Sequence, residues 1–334
     1  MRELVTGAPT GAPRAAASRT AAVRAPLNAR RALQLSLAAL WLLDAILQFQ
    51  PFMFTKDFAA GVMAPSAQGD PAPVADPITW AARIVGQHPA GANAAFATIQ
   101  LLLGLAIAWR PTVQAGLAAS VPWALGVWWF GEGFGGVLSG TASPLDGAPG
   151  GVVLYALLAV LLWPSDRPAA FPAAGAVGVR AARGLWLVLW ASMAFFALQP
   201  ANTGPQDVHD VITDMAGGQP GWLAGLMHGA ARLTAGRGLG VSIALAVVCA
   251  VLAAAVYLPW PAQRPLLLAA LVVAALIWVF AQALGGLYGG RGTDPNSGPL
   301  LALIALAYWQ RREKDPAGPD AVTSAGAGEG TVRA

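Results

Sequence analysis

The chain has 334 residues, 56% of them hydrophobic and only 11% charged, with a mean hydropathy of +0.57; soluble domains carry about a quarter charged residues. Twenty Lys and Arg against 16 Asp and Glu give a net charge of +4. Together these values exclude an ordinary soluble enzyme and point to an all-α polytopic membrane protein.

Residues 1–31 are rich in Ala, Arg, Pro and Thr and carry six arginines, so they are expected to form a disordered basic cytoplasmic tail. Arg30 and Arg31 stand before an apolar run, as in a twin-arginine export signal. That run lacks a small-residue cleavage site, so a retained first helix is expected. Eight apolar segments follow, at about 33–53, 94–109, 113–130, 149–163, 184–199, 239–258, 265–284 and 298–309. None alternates with a two-residue period, so all are read as helices, which satisfy their own backbone in lipid. A polar tail over 311–334 closes the chain. The expected organisation is a first four-helix repeat over 32–164, a cytoplasmic linker over 165–183 and a second repeat over 184–310.

Orientation follows from the basic residues. With both termini cytoplasmic, 15 of the 20 Lys and Arg fall on the cytoplasmic side, as the positive-inside rule requires. Trp109, Trp163, Trp260 and Trp309 then cluster at the same interface. The address this implies is the bacterial cytoplasmic membrane, with the lipid bilayer as the first partner.

An internal repeat is visible. ALWLLDAILQFQP (Ala39 to Pro51) matches VLWASMAFFALQP (Val188 to Pro200) at an offset of 149, and WWFGEGFGGVLSG (Trp128 to Gly140) matches WVFAQALGGLYGG (Trp278 to Gly290) at 150. The latter offset also pairs Asp146 with Asn296 and Pro149 with Pro299. Four helices per half make the halves parallel, related by a pseudo-twofold axis along the membrane normal.

Three groups of polar residues are candidates for chemistry. Asp44 lies in the middle of the first segment, where a carboxylate needs a partner, a proton or a wet cavity; Gln48 and Gln100 are the candidate partners. It is either a proton or cation site or a hydrogen-bonded staple between helices. The second group is an outward-facing polar cavity lined by Glu132, Asp146, Gln282, Arg291 and Asp294, built from the Gly-rich loops before the two shortest segments. The competing reading is close helix packing through Gly136-x-x-x-Gly140 and Gly286-x-x-x-Gly290. The third group, Asp207, His209, Asp210 and Asp214, offers weak metal ligands, although Val208, Val211, Ile212 and Met215 recur as on an amphipathic interfacial helix.

The single cysteine, Cys249, excludes a disulfide framework or thiolate metal site within the chain, and His88, His209 and His228 all lie outside the apolar segments, which excludes a bis-histidine haem. Phosphate loops, nucleophile elbows and zinc-protease motifs are absent, and nothing supports binding of nucleic acid.

The order helix, long outer loop, helix, short turn, helix, Gly-rich loop, short helix, with IQLLLGLAIAWRP (Ile99 to Pro111) as second helix and turn, resembles the four-helix DoxX-like superfamily, twice in tandem. The run QPFMF, GEGFGG and GAPG resembles uncharacterised actinobacterial integral membrane proteins. The DoxX resemblance implies a quinone-linked redox accessory role, with quinone as the possible cofactor; Gln100 stands where many of that family carry an acid. Three readings follow: a non-enzymatic module that binds or passes a small solute or ion, the quinone-linked accessory subunit, and an assembly partner whose outer loops (54–93 and 200–238) dock an envelope protein.

Overall fold

The structure, a computed structural model, describes residues 28–310. The expected tails fall outside these residues except at 28–31. There the expectation is corrected: α1 (Ala29–Leu47) already contains both arginines, because Asn28 caps its first turn and the two side chains are tied down. Arg31 donates to the carbonyls of Ile107 and Ala108, and Arg30 to those of Ser165 and Pro172. Arg31 thereby satisfies carbonyls that the end of a helix leaves without partners, while Arg30 fastens the loop after Leu161.

All regular elements among the described residues are helical. After α1 come α2 (Ala72–Gln87), α3 (Pro89–Ala108), α4 (Val113–Phe130) and α5 (Gly151–Leu161), then α6 (Val179–Ala197), α7 (Asp207–Ala216), α8 (Gly221–Thr234), α9 (Gly238–Ala254), α10 (Trp260–Leu276) and α11 (Ser297–Ala307). Each of the eight apolar segments is helical. The second set begins at Val179, five residues before the expected boundary, because the linker holds only one short helical turn, Pro172–Val177, before Gly178 caps the start of α6.

Four helices are long and apolar enough to cross a membrane: α3, α6, α9 with its extension to Tyr257, and α10 with its extension to Ala281. No more than 39% of any of these windows is buried inside the protein. Exposed Leu102, Val188, Phe195, Val247 and Val272 make up the remainder, an apolar surface suited to lipid rather than water. The helices α5 and α11 have 11 residues each, about 16 Å, roughly half the hydrocarbon thickness of a bilayer. Both are mostly buried and pack on each other.

The packing runs in parallel in the two sets: α1 on α3, α3 on α4, α4 on α5; then α6 on α9, α9 on α10, α10 on α11. A shared core joins them, with Trp41, Tyr155, Trp186, Trp190 and Tyr308 at its heart and Cys249 buried within it. Two bonds fix the second set at its basic end: Trp186 donates to the Leu252 carbonyl at 2.7 Å and Tyr308 to that of Ala182 at 2.5 Å. The long outer loops are not extended arms. In the first, helical turns over 51–67 pack with α2 around Met53, Phe58 and Met63; in the second, α7 and α8 pack around Val208, Ile212 and Met227.

The Gly-rich elements correct the helix-packing expectation. Gly136, Gly140, Gly286 and Gly290 all have φ between +65° and +75° and lie in turns, not on helix faces. Their spacing is that of a packing motif, but their conformation is left-handed, where a Cβ is strained. The tightest point is Gly135 (φ +64°): a Cβ there would meet the Pro149 carbonyl oxygen at 2.3 Å, and at Gly285 (φ +75°) it would meet the Pro295 carbonyl carbon at 2.5 Å.

Candidate functional site

The buried face of α1 turns Trp41, Asp44 and Gln48 in one direction, at the i, i+3, i+7 spacing of a helical stripe. Opposite them α3 supplies Phe96 and Gln100, α4 supplies Trp123 and Phe130, and α5 supplies Tyr155. Glu132 and Asp294 close the end toward the C-terminus of α1 from the two Gly-rich loops. These residues line a chamber of about 290 Å³. Five residues singled out by sequence therefore meet in one cavity: Asp44, Gln48, Gln100, Glu132 and Asp294.

The chamber's walls are aromatic. The Trp41 and Tyr155 rings lie 4.2 Å apart between centroids and the Phe96 and Trp123 rings 5.9 Å. Its polar atoms are poorly satisfied. Asp44 Oδ1, Gln48 Oε1, Gln100 Oε1 and Glu132 Oε2 are buried without a protein hydrogen-bond partner, as are the donors Trp41 Nε1, Trp123 Nε1 and the Tyr155 hydroxyl. Tyr155 stands beside the Asp44 carboxyl without reaching good hydrogen-bond geometry. Buried polar atoms normally have partners, and each one left without costs about 1–3 kcal/mol. No Lys, Arg or His lines the chamber, although three carboxyl groups do.

Glu132 also has a structural role. Its Oε1 accepts the Val152 backbone N–H at 3.1 Å, capping the first turn of α5. Burial, reinforced by the charge of Asp294, pushes its carboxyl up to about 8 against the opposing pull of that hydrogen bond. Asp294, also raised by burial, accepts from Thr293 Oγ1 at 2.8 Å and from the Asn296 backbone N–H at 2.6 Å. Glu132, Thr293 and Asp294 also line a second, more polar cavity of about 400 Å³ that includes Asp146 and Ser66. This vestibule and the chamber share Glu132, Thr293 and Asp294 as a common wall.

Three expected site residues lie elsewhere. Gln282 sits in the second set, where its Oε1 accepts the Gly298 N–H at 3.3 Å and its Nε2 donates to Ser297 Oγ at 2.8 Å, so it caps α11 as Glu132 caps α5. Asp146 is exposed in the vestibule. Arg291 is exposed with its guanidinium 5.1 Å from the Phe52 ring centroid and lines a separate outer pocket. The weak metal set is also corrected. Among the described residues no group of three or more His, Cys, Asp or Glu side chains is placed so that it could hold a metal ion. Asp207 bonds the Gly204 N–H, His209 faces Asp210 at 2.8 Å, and Val208, Ile212 and Ala216 bury the opposite face of α7. The amphipathic-helix reading accounts for all of these letters.

The Trp128 indole donates to the Pro149 carbonyl at 2.6 Å, and the Trp278 indole to that of Pro295 at 2.8 Å. Pro149 is thus matched in position by Pro295, not by Pro299, since the second loop is four residues shorter and the repeat offset slips from 150 to 146 before α11. No protein-family model, no curated protein and no solved structure matches the chain.

Proposed function

We propose that this is a non-enzymatic integral membrane protein of eight spans, two parallel four-helix repeats with both termini in the cytoplasm, which binds or passes a small solute or ion through an outward-facing cavity. Tandem DoxX-like modules in a bacterial cytoplasmic membrane are the corresponding architecture. Matched packing in the two sets, the paired caps at Glu132 and Gln282, and the paired tryptophan bonds support the duplication. The gathering of Arg30 and Arg31 with the ends of α3 and α5 supports a single basic face.

The observation that carries the function is the chamber's asymmetry. Asp44, Gln100, Glu132 and Tyr155 have Met193, Cys249, Gln282 and Leu301 at the matched positions of the second set. Met193, Cys249 and Leu301 are fully buried in the shared core, so the second set fills with apolar atoms the space that the first leaves open and lines with carboxyls. Maintaining unpaired buried carboxyls costs stability, and such groups in membrane proteins mark solute, ion or proton paths. The test is Asp44→Asn in reconstituted vesicles: a pH-sensitive solute or ion flux present in the wild type is expected to fall at least ten-fold. Equal flux in both would sink the reading. A quinone-linked role is the second reading, favoured by the three unpaired donors Trp41, Trp123 and Tyr155, which suit quinone carbonyls; quinone extracted with the purified protein would select it.

A further inference from the structure

We propose that the chamber's ligand is a protonated organic amine with an apolar body, its ammonium held among the carboxyls of Asp44, Glu132 and Asp294 and its body against the surrounding aromatic rings. The inference rests on the solute-binding reading and names the solute's class.

Charge gives the sign. Three carboxyl groups and no basic side chain line the space, so it suits a cation and repels an anion. Hydrogen bonding narrows the type. Four buried acceptors, Asp44 Oδ1, Gln48 Oε1, Gln100 Oε1 and Glu132 Oε2, lack donors. An ammonium brings up to three N–H groups to them, whereas a quaternary ammonium brings none. A bare metal ion suits the chamber less, because hard cations want six or more oxygens in a close shell, and among the described residues no three acidic, cysteine or histidine side chains are grouped so that they could hold a metal ion. The walls describe the rest of the molecule. The Trp41 and Tyr155 rings on one side and those of Phe96 and Trp123 on the other offer faces to a cation and apolar area to a hydrocarbon or aromatic body. An inorganic ion would leave that area unused. The volume of about 290 Å³ sets the scale at the small end of ligand pockets. The neighbouring vestibule adds to the same charge pattern, with Asp294 in the wall it shares with the chamber and Asp146 on its own lining, both attractive to a cation.

The experiment is isothermal titration of the full-length protein in nanodiscs of zwitterionic lipid with phenethylamine, 2-phenylethanol and phenethyltrimethylammonium. Asp44→Asn and Glu132→Gln are the site variants and Asp166→Asn, at the basic end, is the control. The expected result is saturable binding of phenethylamine, at least ten-fold tighter than either analogue. It should weaken at least ten-fold in each site variant and stay unchanged in the control. The comparison of amine with alcohol uses wild type alone, so it decides the class even if a variant fails to fold. If the alcohol or menadione binds wild type as tightly as the amine, the amine class is overturned while the cavity reading stands. If no probe binds, and neither sodium ions nor menadione shifts the melting temperature, both are overturned.

Discussion

At the residue scale, Glu132 combines two demands that conflict with pH. Its carboxyl caps α5 in either protonation state, but only the neutral form suits a site shared with Asp44, Asp294 and Tyr155. The folded state holds the proton to about pH 8, whereas an unfolded glutamate releases it near 4.5. Between those values the folded protein binds more protons, so its stability falls as pH rises, by at most about 1.4 kcal/mol per pH unit for one group. Melting curves in detergent should therefore decline from pH 5 to pH 8 for wild type. Glu132→Gln, which keeps an oxygen for Val152, should flatten that decline; unchanged slopes would count against burial of the carboxyl. At the matched position, Gln282→Ala removes a cap and leaves the Gly298 N–H and Ser297 Oγ without their partner. It should cost about 1–3 kcal/mol, read as a lower melting temperature, with no effect on ligand binding in the first set.

At the element scale, the Gly-rich turns set the depth of the two short helices. The Gly135 carbonyl path brings the backbone against Pro149, and the Gly285 path against Pro295, closer than any side chain permits. Gly135→Ala combines a left-handed φ with a Cβ only 2.3 Å from the Pro149 carbonyl oxygen and should destabilise by more than about 2 kcal/mol; Gly285→Ala should do the same at the other turn. Thermal unfolding of the two variants checks both, and near-wild-type melting of either would show that its turn can rearrange. These turns are also where sequence reading failed for a physical reason. A Gly-x-x-x-Gly spacing is identical in a helix and in a pair of left-handed turns, and only the backbone distinguishes them. The outer helices were hard to see for a different reason. Pro77 interrupts the pattern of α2, and α8 buries one narrow stripe instead of an apolar run, whereas α7 showed its amphipathic spacing in Val208, Val211, Ile212 and Met215.

At the scale of the whole molecule, apolar length made the eight core helices legible, because a backbone in hydrocarbon has little choice but to be helical. The site was half legible. Asp44, Gln48, Gln100, Glu132 and Asp294 stand out as polar letters in an apolar context, and they do meet. Tyr155, Phe96, Trp41 and Trp123 do not stand out, since an aromatic ring in a membrane helix reads as filler; the stripe of Trp41, Asp44 and Gln48 was the available clue. Topology is testable with the chain's own chemistry. Cys249 is buried, so an introduced cysteine is the accessible thiol. In intact cells, Gln68→Cys should react with an impermeant maleimide and Ala169→Cys should react only after lysis; the opposite pattern would invert the proposed orientation.

The vestibule that shares Glu132 and Asp294 with the chamber would have an electrical consequence in the proposed orientation. An aqueous inlet there would carry the outside potential inward with it, so the membrane voltage would fall mainly across the protein between the chamber and the basic end. A unit charge crossing the full drop exchanges about 2.3 kcal/mol per 100 mV. A cation resting at Asp294 would sample little of that field and one resting at Asp44 a larger share. A cell that is negative inside would then draw such a cation from the first carboxylate to the second, so that the resting voltage of the membrane sets how deeply the site is occupied.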